Sequence, residues 1–341
     1  MSNPIFIARQ DTLEQEILPA HWLSQYKLFG EESYTFQDKE IWKKLCMSSA
    51  AANDRDMHAE ALEEMLTTFS AEHTGKWMLT VYGMDAAVLE GLASMAAVAG
   101  NGTAMAAVAA NALLMHAITN SETAMRAIAN SQTAMHAIAN SETAMQRIAN
   151  STTAMDAIGG SKIARDAVQA SPYYDAKIKE NDMAIAKLVV GFANLESARY
   201  SGCAGMAADS TAMTAVAASS TAMTAVAASA TAMGKIAAVD AALSKLAAST
   251  TAMDALYARK KQMKGGSASK SGKFIILEIS QSNAFNTSKY GYATLSDGSK
   301  PDWSSYLAKY AFFQKYPKYA TYMLNDTDSD DYIYYFDIAS P

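Results

Sequence analysis

A ten-residue period limits this chain more than any other feature. NSETAMRAIA, NSQTAMHAIA, NSETAMQRIA and NSTTAMDAIG follow one another without a gap from Asn120 to Gly159. Met holds one slot at Met95, Met105, Met115, Met125, Met135, Met145 and Met155. A branched apolar residue follows three positions later at Val98, Val108, Ile118, Ile128, Ile138, Ile148 and Ile158. The frame then weakens, with Val168, Ile178 and Leu188 in the second slot and Ile185 and Leu195 in the first. After Gly202 a second block runs in a shifted frame. Met213, Met223, Met233, Leu243 and Met253 pair there with Val216, Val226, Ile236, Leu246 and Leu256. The step from Leu195 to Cys203 is two residues short of the period, which marks a register break.

Ala, Met and Leu favour helix, and the clean repeats contain no proline. One straight helix does not fit the period. At about 100° per residue, each Met falls about 80° behind the last and the row scatters around the circumference. A coiled coil needs a period near 3.5 or 3.67. The junctions instead read as helix ends: Asn120-Ser121, Asn130-Ser131, Asn140-Ser141 and Asn150-Ser151. Asn tolerates the left-handed conformation that closes a helix, and Ser is a good N-cap for the next. Glu122 and Glu142 fall in first turns, where the helix dipole favours an anion. The expectation is a mainly α fold of short two-turn helices. Met and Ile share one face of each helix, and the helices stack as a solenoid because isolated helices so short are unstable. The expected core is Met105, Ile118, Met125, Ile128, Met135, Ile138, Met145, Ile148, Met155, Ile158, Met213, Val216, Met223, Val226, Met233 and Ile236. The second block ends its repeats in Ala-Ser or Ala-Ala, so a longer supercoiled helix is an alternative there; a β-helix is disfavoured by Ala and Met.

The ends differ from the middle. Residues 1–83 carry Trp22, Trp42 and Trp77 and read as a small helical docking element, with an extended start at 4–9 and helices near 38–45 and 53–69. The first repeat block spans 84–200 and the second 201–258. Residues 259–272, rich in Gly, Ser and Lys, read as a flexible linker. Residues 273–341 read as a small α+β domain, with strands at 274–279, 290–295, 322–324 and 332–337 and a helix at 303–313.

Signals of catalysis are weak. His116 and His136 fill the variable, solvent-facing slot of the repeat, and neither zinc-type spacing nor a phosphate loop nor a GxSxG elbow occurs. No catalytic residue and no cofactor is expected. Asp326, Asp328 and Asp330 alternate like the first carboxylates of a calcium loop, but Asp331 stands where Gly is needed and Asp337 where Glu is needed. An acidic surface loop is the better reading. The formal charge of −6 argues against nucleic-acid binding. No run is apolar enough to insert in a membrane, and the first 30 residues lack a secretory pattern. Cys46 and Cys203 cannot make a disulfide framework, which suits a reducing compartment. The tyrosines of the C-terminal region could form core or a contact surface for carbohydrate or protein.

The tandem STAMxAVAAS and NSxTAMxAIA units over residues 84–256 resemble the decapeptide repeats of tailed-bacteriophage tail-fibre-like virion proteins. The resemblance implies a non-enzymatic virion component, assembled in the host cytoplasm, whose repeats act as a spacer between terminal contact domains. It implies other virion proteins as partners and, by analogy, a homotrimer. The alternative is an adhesin whose C-terminal domain binds a host-surface glycan or protein. A depolymerase would need paired carboxylates in a cleft.

Overall fold

The computed structural model describes residues 95–110, 115, 118–280, 291–303, 307–326 and 331–341. The expected N-terminal docking element, the start of the first repeat block, His116, Asp328 and Asp330 lie outside these residues. The described chain is mostly helical, with a small antiparallel sheet near the C-terminus. It divides into two compact units, Met1–Ile178 and Lys179–Pro341. The division falls at 178/179, not at the 200/201 boundary between repeat blocks expected from the register break.

Among the described residues of the first unit the repeats form helices Met95–Gly100, Gly102–Ala110, Glu122–Ala129, Gln132–Ala139, Glu142–Ala149, Thr152–Gly160 and Lys162–Gln169, followed by the short Tyr174–Lys177. Met and Ile at three-residue spacing are buried together with the alanines beside them, as Ala124, Met125, Ile128 and Ala129 illustrate. That four-residue stripe is the apolar face of a helix too short to stand alone. Packing partners lie three repeats apart. The Met125 helix packs on the Met95 and Met155 helices, and the Met135 helix on those of Met105 and Arg165.

The breaks correct one expectation. Asn130, Asn140 and Asn150 are not left-handed; their φ lies between −98° and −92° with ψ near zero. The turn is made by the following Ser131, Ser141 or Ser151, which is extended, with ψ between 118° and 120°. One residue in the β region redirects the chain, so no positive φ is required. Ala170, Ala238 and Ala248 occupy the Asn position equally well.

In the second unit, helix Asp182–Phe192 is buried along its length from Ala184 onward. After a 3-10 turn at Ser197–Arg199 come helices Cys203–Ala208, Ser210–Ala218, Ser220–Ala228, Ala230–Ala237, Asp240–Ala247 and Thr250–Ala258. No continuous supercoiled helix forms. The first two complete repeats of this block meet at 101°. The Met213 helix packs on the Leu243 helix, and Met223 on Met253, again three repeats apart. Leu195 does not fill the Met slot: it lies half-buried between the helix end and the 3-10 turn, where Ser197 is buried instead.

The C-terminal sheet has the order β1-β6-β2-β5-β3-β4, from β1 (Lys261–Lys264), β2 (Ala268–Ser280), β3 (Gly291–Leu295), β4 (Asp302–Trp303), β5 (Ala320–Asn325) and β6 (Tyr332–Asp337). The expected linker is therefore largely strand. Met263 of β1 is buried opposite Ile333, and β2 pairs with β5 from Ala268 onward. Along β1 the burial alternates, with Met263 buried between exposed Gln262 and Lys264. The expected helix over 303–313 shrinks to Ala311–Lys315. Trp303 is taken into β4, and Tyr310 has φ 72°, which stops a helix before Ala311. Gly291 faces Trp303 because a Cβ there would meet the indole ring at 2.4 Å. Phe274, Ile276, Ile279, Leu295, Trp303, Phe312, Met323 and Ile333 form the core of one sheet face.

Candidate functional site

Among the described residues, two sets of polar contacts sit at helix ends. In the first unit the junction serines from Ser131 to Ser171 each act twice. Ser151 Oγ accepts the Ala154 N–H (3.1 Å), which caps its own helix, and donates to the Thr119 carbonyl (2.5 Å), 32 residues back. Ser131, Ser141, Ser161 and Ser171 donate likewise to Ala99, Ala109, Ala129 and Ala139 at 2.5–2.6 Å. A hydroxyl can do both because it carries one donor and two acceptor sites. The result is a ladder of five successive rungs, each joining the start of one repeat to the carbonyl end of the repeat four earlier.

The Met slot of the repeat at 162–169 holds Arg165, which the sequence reading passed over. It is buried, and its Nη1 donates to the Gly159 carbonyl (2.6 Å). The stem fills the methionine's space while the head folds back to backbone. Desolvation lowers its pKa, partly offset by Asp166.

In the second unit three consecutive residues cap three different helices. Asn181 Oδ1 accepts the Ala184 N–H of its own helix (3.1 Å). Glu180 accepts the Ala230 and Thr231 N–H groups at the start of helix Ala230–Ala237 (3.1 and 2.8 Å), and Thr231 Oγ1 donates to the Glu180 carbonyl (3.2 Å). Asp182 Oδ1 accepts the Cys203 N–H at the start of helix Cys203–Ala208 (3.2 Å). That helix begins at Gly202, which has no side chain to cap it; a Cβ there would lie 2.4 Å from Asp182 Oδ2. Carboxylates at helix N-termini interact favourably with the dipole. Buried Cys203 takes the Met slot, and its thiol lies 3.5 Å from the Asp182 carbonyl. Burial pushes that thiol's pKa up, and the Asp182 carboxylate adds to the push. Lys187 is buried nearby in sequence, its Nζ donating to the Ser197 carbonyl (3.1 Å).

A third cluster joins the last repeats to the sheet. Tyr257 of helix Thr250–Ala258 donates to Glu278 of β2 (2.5 Å) and meets the rings of Tyr310 and Tyr334 at 5.7 and 6.4 Å. Lys260 and Lys309 stand 4.0 and 4.4 Å from the Tyr257 ring centre, within cation–π range. Asp254 accepts from Tyr310 Oη and from Lys309 Nζ (3.2 Å), and those bonds hold its carboxyl below the ordinary range. Lys318 pairs with Asp240 of the preceding helix (2.7 Å). Farther along the sheet, Tyr292 and Tyr322 pair at 5.7 Å, both half-buried.

Of the residues singled out in the sequence, Met105 through Ile158 and Met213 through Ile236 in the repeat slots are buried, and Ser121, Ser131, Ser141 and Ser151 are N-caps. Asn120 ends a helical segment, and Asn130, Asn140 and Asn150 are C-caps. His136 is exposed. Asp326 accepts from Ser267 Oγ where β5 ends beside the start of β2. Among the described residues no group of three or more His, Cys, Asp or Glu side chains could hold a metal ion. No single described helix is long and apolar enough to cross a membrane. No protein-family model matches the chain, and no curated protein matches it.

Proposed function

We propose that this protein is a non-enzymatic structural component of a tailed-phage particle. It acts as a tail-fibre-like, head-fibre, collar or baseplate appendage whose repeats form a helical solenoid, three repeats to a coil, as spacer or scaffold between terminal contact domains. The serine ladder carries the reading. In the first unit it uses the junction serines to tie one coil to the next, which is what a spacer of fixed reach requires. The C-terminal sheet domain, tied to the last repeats through Tyr257, Asp254 and Asp240, is held as a rigid end-piece rather than a tethered one. Its partners are other virion proteins, and it acts as a homo-oligomer in the particle.

Antiserum raised against the full chain, applied to purified tailed particles from the host that carries the gene, tests this. Regular labelling of one substructure, with the chain recovered from particles by peptide mass spectrometry, is the expected result. A chain found only in the soluble lysate would end the proposal. Light scattering with small-angle X-ray scattering then gives the state of the free protein: a threefold mass with an elongated profile for a trimeric fibre, a monomer for a decoration.

The Tyr292–Tyr322 pair favours a second reading, in which the same appendage binds a host-surface glycan or protein through this sheet face. Aromatic rings with hydroxyls offer both stacking and hydrogen bonds to a sugar. Particles carrying Tyr292→Ala with Tyr322→Ala would then assemble normally but adsorb poorly; unchanged adsorption would exclude it.

A further inference from the structure

Along the repeats, a helix keeps its cap when coils separate, because each capping serine belongs to the same helix, three residues before the N–H it accepts. Helix Asp240–Ala247 has no side-chain cap, and helix Cys203–Ala208 takes its cap from another helix. Gly202 offers no side chain, and the carboxylate that accepts the Cys203 N–H comes from Asp182, 21 residues earlier, at the start of the helix against which it packs. The register break goes with this arrangement: the capping position four residues before Cys203 is Arg199, which lies in the 3-10 turn, and Asp182 caps the helix from outside. The cap therefore exists only while helices Asp182–Phe192 and Cys203–Ala208 are together. With six residues and no cap of its own, the second helix cannot persist apart from the first.

We infer that helix Cys203–Ala208 is a conditional element, helical only while Asp182 caps it from the preceding helix, and that this register break is where the second unit first opens. Opening exposes Cys203, which is buried in the closed state. The inference stands whether or not the chain is a virion component.

Alkylation of Cys203 by iodoacetamide in the full chain tests it, in a Cys46→Ser background that leaves one thiol. Asp182→Ala should speed alkylation about tenfold, the size expected for loss of one helix cap. Asp182→Asn, which keeps an acceptor oxygen, should restore most of the protection. Amide exchange across 210–258 should stay at its original level in both variants. Alkylation of Asp182→Ala at the unsubstituted rate, or a rise matched by faster exchange throughout 210–258, would overturn the inference. Should Asp182→Ala not fold, the chain with Asp182 intact decides: local opening makes alkylation nearly independent of low urea concentrations, whereas a dependence as steep as global unfolding would reject it.

Discussion

The two repeat blocks share one period and one buried Met-and-branched-residue stripe, yet they secure their helix ends differently. In the first, five successive serines each reach a carbonyl 32 residues back, and the first four of them, Ser131 to Ser161, also cap a helix. In the second, that reach is made at the same offset by Ser249, to Ala217 (2.5 Å). Ser219 bonds Phe192 instead (3.1 Å), and Ser229 approaches Glu180. Asp209 caps its own helix through the Thr211 and Ala212 N–H groups, but an ionised carboxylate has no proton to donate, so it receives Tyr200 Oη (2.9 Å) rather than joining a distant carbonyl. Val239 does neither. Capping and cross-linking are separable tasks, and among these junction residues serine performs both.

Four substitutions or conditions would break or sharpen that contrast. The largest effect belongs to what the blocks share. Met135→Asp places a charge where the side chain is fully buried, and should cost about 4 kcal/mol or more, read as loss of the helical signal of the first unit in a circular-dichroism melt. Retention of full helicity would mean that the Met row is not core. Next is a ladder rung. Ser151→Ala removes a cap and leaves the Thr119 carbonyl without its hydroxyl partner, costing about 2 kcal/mol in denaturant unfolding. Ser151→Asp should recover only the capping part. Smaller and opposite in sign is Val239→Ser, which supplies the missing cap and sets a hydroxyl at the ladder offset from Ala207, in helix Cys203–Ala208. It should raise the midpoint of unfolding of the second unit by about 1 kcal/mol in stability.

The smallest effect at neutral pH comes from the tyrosines at the sheet. Burial first, then the bond to Glu278, raises the Tyr257 pKa, and burial with the bond to Asp254 raises that of Tyr310. Because the folded values lie above the unfolded ones, their contribution is complete below the ordinary tyrosine value near 10 and is lost as pH rises through the folded values. Asp254 behaves oppositely: its folded pKa is depressed, so its contribution is present above the ordinary carboxylate range and fades as pH falls through the folded value. Stability of the second unit, followed by tyrosine absorbance near 295 nm, should therefore decline on the alkaline side, and Tyr257→Phe should flatten that decline. An unchanged alkaline limb would remove Tyr257 from the account.

Much of the repeat architecture was legible in the residues. The ten-residue period excluded one long helix by angle alone, and the Met and Ile slots named the buried stripe. What misled was chemistry read residue by residue. Asn suggested a left-handed closure, but the extended serine after it makes the turn, so alanine serves as well. Gly, Ser and Lys suggested a linker over 259–272, whereas pairing with β5 and β6 turns that composition into strand. The run from Trp303 suggested a helix, but pairing with Gly291 draws Trp303 into β4.

By itself the sequence determined helix length, the buried face and the positions of the breaks, because each depends on neighbours within a turn. Tertiary structure alone decided which carbonyl a serine reaches, that Glu180, Asn181 and Asp182 cap three separate helices, and that Tyr257 meets Glu278. Apart from the local cap that Asn181 makes on its own helix, those contacts join residues from 21 to 51 positions apart, and their geometry exists only once the chain has come back over itself.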